Sequence, residues 1–210
     1  MTDRRRVARD VRTDQAALFA FERWLDDVVL AGPDVIQIRE RDLDAGTLVR
    51  LVAGLVERTA GTAVAVVVND RADVACAARA AGVHLRADGP PAARVRALGP
   101  ATWRIGRSAH SVAEVRDAGD VDYVFVGPIH PSASKPGIAP AGLELVTAAA
   151  RATSVPVIAI GGLDVDRLPA LLSAGAFGVA GIGVFLPPGC GQGAIGPARA
   201  VAGLRARMLE

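Results

Sequence analysis

The sequence predicts a (β/α)8 barrel of the TIM class, with residues 1–210 forming one domain. Three observations predict it. Short β-branched runs alternate with longer Ala/Leu/Arg stretches, the rhythm of a parallel sheet with crossover helices. Polar residues and glycines gather just beyond the C-terminal ends of those runs, where such a barrel builds its site. The G-x-G-x-x-G fingerprint that a doubly wound dinucleotide-binding sheet carries after its first strand is absent.

Taken in order, the candidate strands are Asp34–Arg39, Ala63–Val68, Gly82–Leu85, Trp103–Gly106, Tyr123–Val126, Val155–Ile160 and Phe177–Ile182. Helices are expected near 15–31, 44–59, 71–80, 90–98, 111–118, 140–152, 164–174 and 192–209, with Asp44, Ser111 and Asp164 as cap-like starts. Seven strands and eight helices leave one strand wanting at the start, and Val7–Arg12 is the segment available for it. That strand is degenerate: VARDVR puts charge on both alternating faces, whereas a buried parallel strand reads as a near-continuous apolar run. No Pro/Gly/Ser linker or shift in composition divides the chain.

Composition narrows the function classes. Hydrophobic residues make up 51% of 210, enough to fill a large core, so disorder is not expected. The apolar runs span four to six residues, far below the roughly 20 needed to cross a bilayer. The Arg-rich start is not followed by an apolar segment with a small-residue cleavage site, so a cytoplasmic protein is expected. Basic and acidic residues number 24 and 22 and are spread along the chain, and aromatics are few, so neither a polyanion patch nor a base-stacking surface is expected. Cys76 and Cys190 are too few and too distant for a disulfide framework or a CxxC metal site. Of the 24 basic residues one is lysine, Lys135, which leaves 23 arginines. The sequence leaves assembly into a homo-oligomer open.

The strand ends carry the chemistry. Arg39 and Arg41 follow the 34–39 run, Asn69 and Asp70 the next, Asp88 the third, and Ser108 and His110 the fourth. His130, Ser132, Ser134 and Lys135 come after Tyr123–Val126, then Gly161-Gly162, then Gly181-Ile182-Gly183. The last two glycine pairs stand where barrels commonly take phosphate, because bare backbone N–H groups approach its oxygens closely. Arg39, Arg41 and Lys135 form a second cationic group, and Asp70 with Asp88 offer hard oxygen donors suited to Mg2+. The same carboxylates suit helix capping or a turn, and Arg41 beside Asp42 suits a solvated ion pair. His110 stands where an imidazole serves as general acid or base, or simply as a satisfied hydrogen-bonding group. His84, within GVHL, reads as structural, and His130 is undecided.

These stretches resemble the thiamine phosphate synthase and thiazole tautomerase family: IQIRERD (36–42), VNDRADVA (68–75), GVHL with Asp88, GRSAHS (106–111), DYVFVGPIHPSASKPG (122–137) and VIAIGGL (157–163). For a synthase, the resemblance implies that Gln37, Arg39, Arg41, Asn69 and Lys135 hold a pyrimidine diphosphate, with Asp70 and Asp88 on Mg2+. Ser132, Ser134, Gly162, Ile182 and Gly183 match positions that hold thiazole phosphate, and Ser108 a substrate-contacting serine. The implied reaction ionises the pyrimidine methyl diphosphate, and the thiazole nitrogen attacks the carbocation. His110, Lys135 and Arg39 are the implied catalytic residues, and phosphorylated small molecules the implied partners. Several positions depart from the pattern. Arg41 replaces a lysine, Arg86-Ala87 a Gly-Gln pair before Asp88, Ser132 and Ser134 threonines, and Gly183 a serine. RERD and GRSAHS also resemble the tautomerase branch, in which a histidine at the place of His110 moves a proton without a metal, and the degenerate first strand leaves a non-catalytic phosphometabolite-binding barrel as a further alternative; the two carboxylates favour the synthase.

Overall fold

The computed structural model describes residues 1–8, 14–132, 137–191 and 193–209. Its frame is a curled parallel sheet of seven strands in sequential order. These are β1 (Val35–Ile38), β2 (Ala65–Asn69), β3 (Gly82–Leu85), β4 (Arg104–Ala109), β5 (Tyr123–Val126), β6 (Val157–Ile160) and β7 (Gly178–Ala180). Helices α1 (Arg4–Val7) and α2 (Asp14–Ala31) precede β1. Between strands come α3 (Ala45–Thr59), α4 (Ala72–Ala77), α5 (Ala92–Arg96), α6 (Val112–Arg116), α7 (Gly142–Ala152) and α8 (Leu168–Ser173), and α9 (Pro197–Met208) follows β7. This is the barrel class the sequence predicts. Asp44, Ser111 and Asp164 cap as expected, their side chains accepting from the backbone N–H of Thr47, Glu114 and Asp166. No helix among the described residues is long and apolar enough to cross a membrane.

The first strand is where the sequence reading needs correction. Val7 closes α1 and Ala8 lies beyond it, while residues 9–12 of the expected strand fall outside the described residues. The edge of β1 is met instead by the opening residues. The Thr2 N–H donates to the Gln37 carbonyl (2.8 Å), and the Met1 amino group reaches the Gly181 carbonyl beyond β7 (3.5 Å). The Thr2 hydroxyl accepts from the Arg39 N–H (3.0 Å) and donates to Glu40 (2.7 Å), whose other oxygen accepts from the Arg4 N–H (3.0 Å). A short polar side chain bridges the backbone and the Glu40 carboxylate at this buried seam, which a run charged on both faces could not do.

Strand alternation divides the core. Ile36, Ile38, Val66, Val68, Val83, Leu85, Ile105, Val124, Val126, Val157 and Ala159 belong to one apolar cluster with Leu48, Leu51, Leu55, Val146 and Ala149 of the helices. The intervening positions face the barrel axis and are more polar and aromatic. His84 packs there on Phe125, with ring centroids 4.2 Å apart. Its Nε2 lies 2.9 Å from the Ser108 hydroxyl and its Nδ1 3.3 Å from the Tyr123 hydroxyl. Two hydroxyls, each able to donate or accept, suit an imidazole that stays neutral. Burial pushes its pKa down to about 3, the charges of the amino terminus and Arg107 adding to the effect.

A pH dependence follows. Unfolded His84 takes a proton near its ordinary 6.5 and the folded residue only near 3, so its stabilising contribution is complete above 6.5 and is lost as pH falls toward 3. Glu40 acts oppositely, because burial raises its pKa from 4.5 to about 7 and its contribution is lost as pH rises through that range. The two trends offset one another between 4.5 and 6.5 in the native chain. His84→Gln therefore exposes the Glu40 trend. Urea unfolding from pH 6.5 to 5 is expected to show the variant gaining on the native chain by about 1 kcal/mol per pH unit, and parallel profiles would contradict it.

Candidate active site

The strand ends converge on one cavity of about 710 Å³, a size that suits a small-molecule site. Every predicted site residue among the described ones lines it except Asn69's neighbour Asp70, which stands just behind the wall. Ser134 and Lys135 lie outside the described residues.

On the β1–β3 side a hydrogen-bonded chain links three strand ends. The Gln37 amide donates to Asn69 Oδ1 (3.0 Å), and the Asn69 amide donates to Asp70 Oδ2 (2.9 Å). Asp70 sits in the left-handed region at φ 60°, which turns its carboxylate back so that Oδ1 accepts the Arg86 N–H (3.0 Å). Oδ2 of Asp70 is 3.1 Å from Arg86 Nε, and Asp88 Oδ1 is 3.5 Å from the same nitrogen. Asp70 does not cap α4, whose N-cap is Arg71 with no side-chain cap, whereas Asp88 does occupy the turn the sequence allowed, closed by the Gly89 N–H on the Arg86 carbonyl (3.1 Å). Arg41 is not in the local ion pair either, since Asp42 pairs with Arg4 and Arg5. Burial, followed by the like charge of Arg41, lowers the Arg39 pKa, and both residues line the cavity. Oε1 of Gln37, buried in the cavity wall, has no hydrogen-bond partner among the described residues.

The β4–β5 arc brings Ser108 and His110. Ser108 lies inside β4, which runs on to Ala109, and not beyond it as the sequence reading had it. Its hydroxyl is oriented by His84. Nδ1 of His110 contacts the Gly127 carbonyl, which can only accept, so Nδ1 carries the proton and Nε2 of a neutral ring is an acceptor. The His110 N–H donates to Glu114 Oε2 (2.7 Å), holding the residue at the head of α6.

On the β6–β7 side the walls are backbone. Gly162 has φ 60°, and a Cβ there would meet the Pro131 carbonyl at 2.4 Å, so only glycine lets the chain turn under the 127–132 loop. Gly161, Gly181, Ile182 and Gly183 complete this edge, and Ser132 lies alongside. His130 is half-buried, its pKa lowered by burial and then by the charge of Arg167.

Three arginines that line or brace the cavity were not singled out by the sequence. Arg167, whose Nη1 donates to the Gly162 carbonyl (2.7 Å), and Arg6 both line the glycine edge. In a chain with 23 arginines no local signal singles them out. Arg107 is buried and donates to the carbonyls of Arg86, Ala87 and Gly89 (3.2, 3.2 and 3.3 Å) and also of Pro90, fixing the turn that carries Asp88. The signal available for Arg107 was a charge inside an otherwise apolar strand.

A family model described as thiamine monophosphate synthase matches residues 11–185. The thiamine-phosphate synthase of Acidothermus cellulolyticus is 42% identical over 171 residues, which cover 80% of this chain and 79% of that one. The thiamine-phosphate synthase of Roseiflexus sp. (strain RS-1) is 38% identical over 183 residues, 84% of this chain and 77% of its own. Among solved structures, the thiamine phosphate pyrophosphorylase from Pyrococcus furiosus aligns with a TM-score of 0.79 at 25% identity, covering 99% of this chain and 93% of that one. Nothing in these likenesses supports the tautomerase alternative.

Proposed function

The chain belongs to the thiamine monophosphate synthase family, and from that premise we propose that it is a transferase that joins a pyrimidine methyl diphosphate to thiazole phosphate, releasing diphosphate and forming thiamine phosphate. One observation carries the reading: one cavity has two separate edges suited to anions, cationic at Arg39, Arg41 and Arg86 over β1–β3 and glycine-lined with Arg6 and Arg167 over β6–β7. Two phosphorylated substrates need two such edges, and a barrel acting on one phosphate needs only one.

The residues divide the work accordingly. Gln37 Oε1 is the acceptor for an exocyclic amine of the pyrimidine, since a buried acceptor left unpaired costs about 1–3 kcal/mol until a ligand satisfies it. Asn69 holds Gln37 in that orientation. Arg39 and Arg41 receive the charge that accumulates on the departing diphosphate, where fixed cations favour ionisation over return of the leaving group. Lys135, by its resemblance, adds to that edge. Gly162, Ile182 and Gly183 with Ser132 and Ser134 seat the thiazole phosphate, so that the ring nitrogen faces the cation left by the pyrimidine. Ser108 contacts substrate through a hydroxyl set by His84, and Nε2 of His110 is the open base at the mouth.

Mg2+ is the cofactor this family resemblance implies, and Asp70 and Asp88 have the right donor chemistry for it, since Mg2+ usually takes one or two carboxylates together with substrate phosphates. The arrangement does not leave an interval for the ion: both carboxylates pair with Arg86 Nε. No group of three or more acidic, His or Cys side chains suited to a metal occurs among the described residues. We further infer that residues 1–210 act as one barrel domain in the cytoplasm.

Incubation with both substrates, with thiamine phosphate read by fluorescence after oxidation, is expected to show turnover. Arg39→Ala should lower kcat/KM by about 10²–10³-fold, the usual cost of removing one group that stabilises developing charge. Absence of product from the native chain would overturn the reading.

A further inference from the structure

The turn between β3 and α5 puts a guanidinium where two carboxylates meet. Arg86 Nε lies 3.1 Å from Asp70 Oδ2 and 3.5 Å from Asp88 Oδ1, while the Arg86 N–H bonds the remaining oxygen of Asp70. The contact is held from both sides. Asn69 fixes Asp70, and buried Arg107 clamps four carbonyls of the 86–90 turn. The terminal nitrogens of Arg86 have no hydrogen bond to the described residues beyond these, and the residue lines the cavity beside Arg39 and Arg41.

Charge decides what this arrangement favours. Along this edge Arg39 and Arg41 are balanced by Asp70 and Asp88, and Arg86 tips the sum to positive. A divalent cation between the carboxylates would have to displace Arg86 or share its field, at the Coulomb cost of placing like charges within a few ångströms. A guanidinium already there offers a planar fork of N–H donors that matches phosphate oxygens.

We propose that Arg86 is a diphosphate ligand standing in for a divalent cation between Asp70 and Asp88, so that this chain binds the diphosphate group without Mg2+. The proposal rests on the functional reading above for the identity of the site, and it deepens that reading by assigning the leaving group a protein-borne counter-ion. Asp70 and Asp88 hold Arg86 in place instead of ligating metal.

The test is calorimetric titration of the full chain with inorganic pyrophosphate, in EDTA and in Mg2+. The native chain is expected to bind in EDTA with an affinity within about threefold of that in Mg2+. Arg86→Gln should weaken binding in EDTA by about tenfold or more, the loss of one charge-assisted pair, and regain most of it with Mg2+. Arg86→Lys, which keeps the charge but not the fork, should fall between them. Arg86 is half-exposed, so neither variant disturbs the core. Equal binding in EDTA by the native chain and Arg86→Gln would overturn the proposal, as would native binding that appears only with Mg2+. Turnover is not read here, so a chain that makes no thiamine phosphate yet behaves this way would overturn the proposed function alone.

Discussion

A parallel strand buried on both faces must hand its side chains alternately to the surrounding helices and to the barrel axis. Everything at the mouth depends on that alternation. Ile36 and Ile38 anchor β1 to the helical layer, which leaves Gln37 on the axis, and Val66 and Val68 do the same for Asn69 on β2. His84, between Val83 and Leu85, falls on the axis for the same reason and there orients Ser108. A one-residue slip in any of these strands would send the polar group into the apolar layer and an aliphatic one into the cavity.

The acidic part of the mouth is held in place by hydrogen bonds to backbone. Arg107 grips carbonyls of the 86–90 turn from outside the barrel, and the positive φ of Asp70 folds its carboxylate onto that same turn. Fixed groups of this sort need little reorganisation as charge moves onto a leaving diphosphate. On the opposite arc the glycines remove side chains, so an anion meets peptide N–H groups with Arg6 and Arg167 close by. The two edges solve the same electrostatic problem by different means.

Much of this was legible in the sequence, for identifiable reasons. The β-branched runs fixed seven strands to within a few residues because burial on both faces leaves so little else possible. The mouth residues followed from those strand ends. What was not legible has a common cause: it depends on contacts between distant segments. Val7–Arg12 looked available as a strand only because the pairing of Thr2 with Gln37 cannot be read along the chain. Asp70 and Asp88 read as an open pair of oxygen donors, and only the fold shows Arg86 between them. Ser108 was placed past its strand because the ladder between β4 and β5 runs on to Ala109 and Val126.

The most direct test of a two-edged mouth is a crystal structure of the protein with pyrophosphate and thiazole phosphate bound together. Pyrophosphate should lie against Arg39, Arg41 and Arg86, with the thiazole phosphate over Gly162 and Gly183 and the thiazole ring between the two. Both phosphates on a single edge, or a thiazole phosphate seated over β1–β3, would contradict the division of the cavity on which the proposed reaction depends.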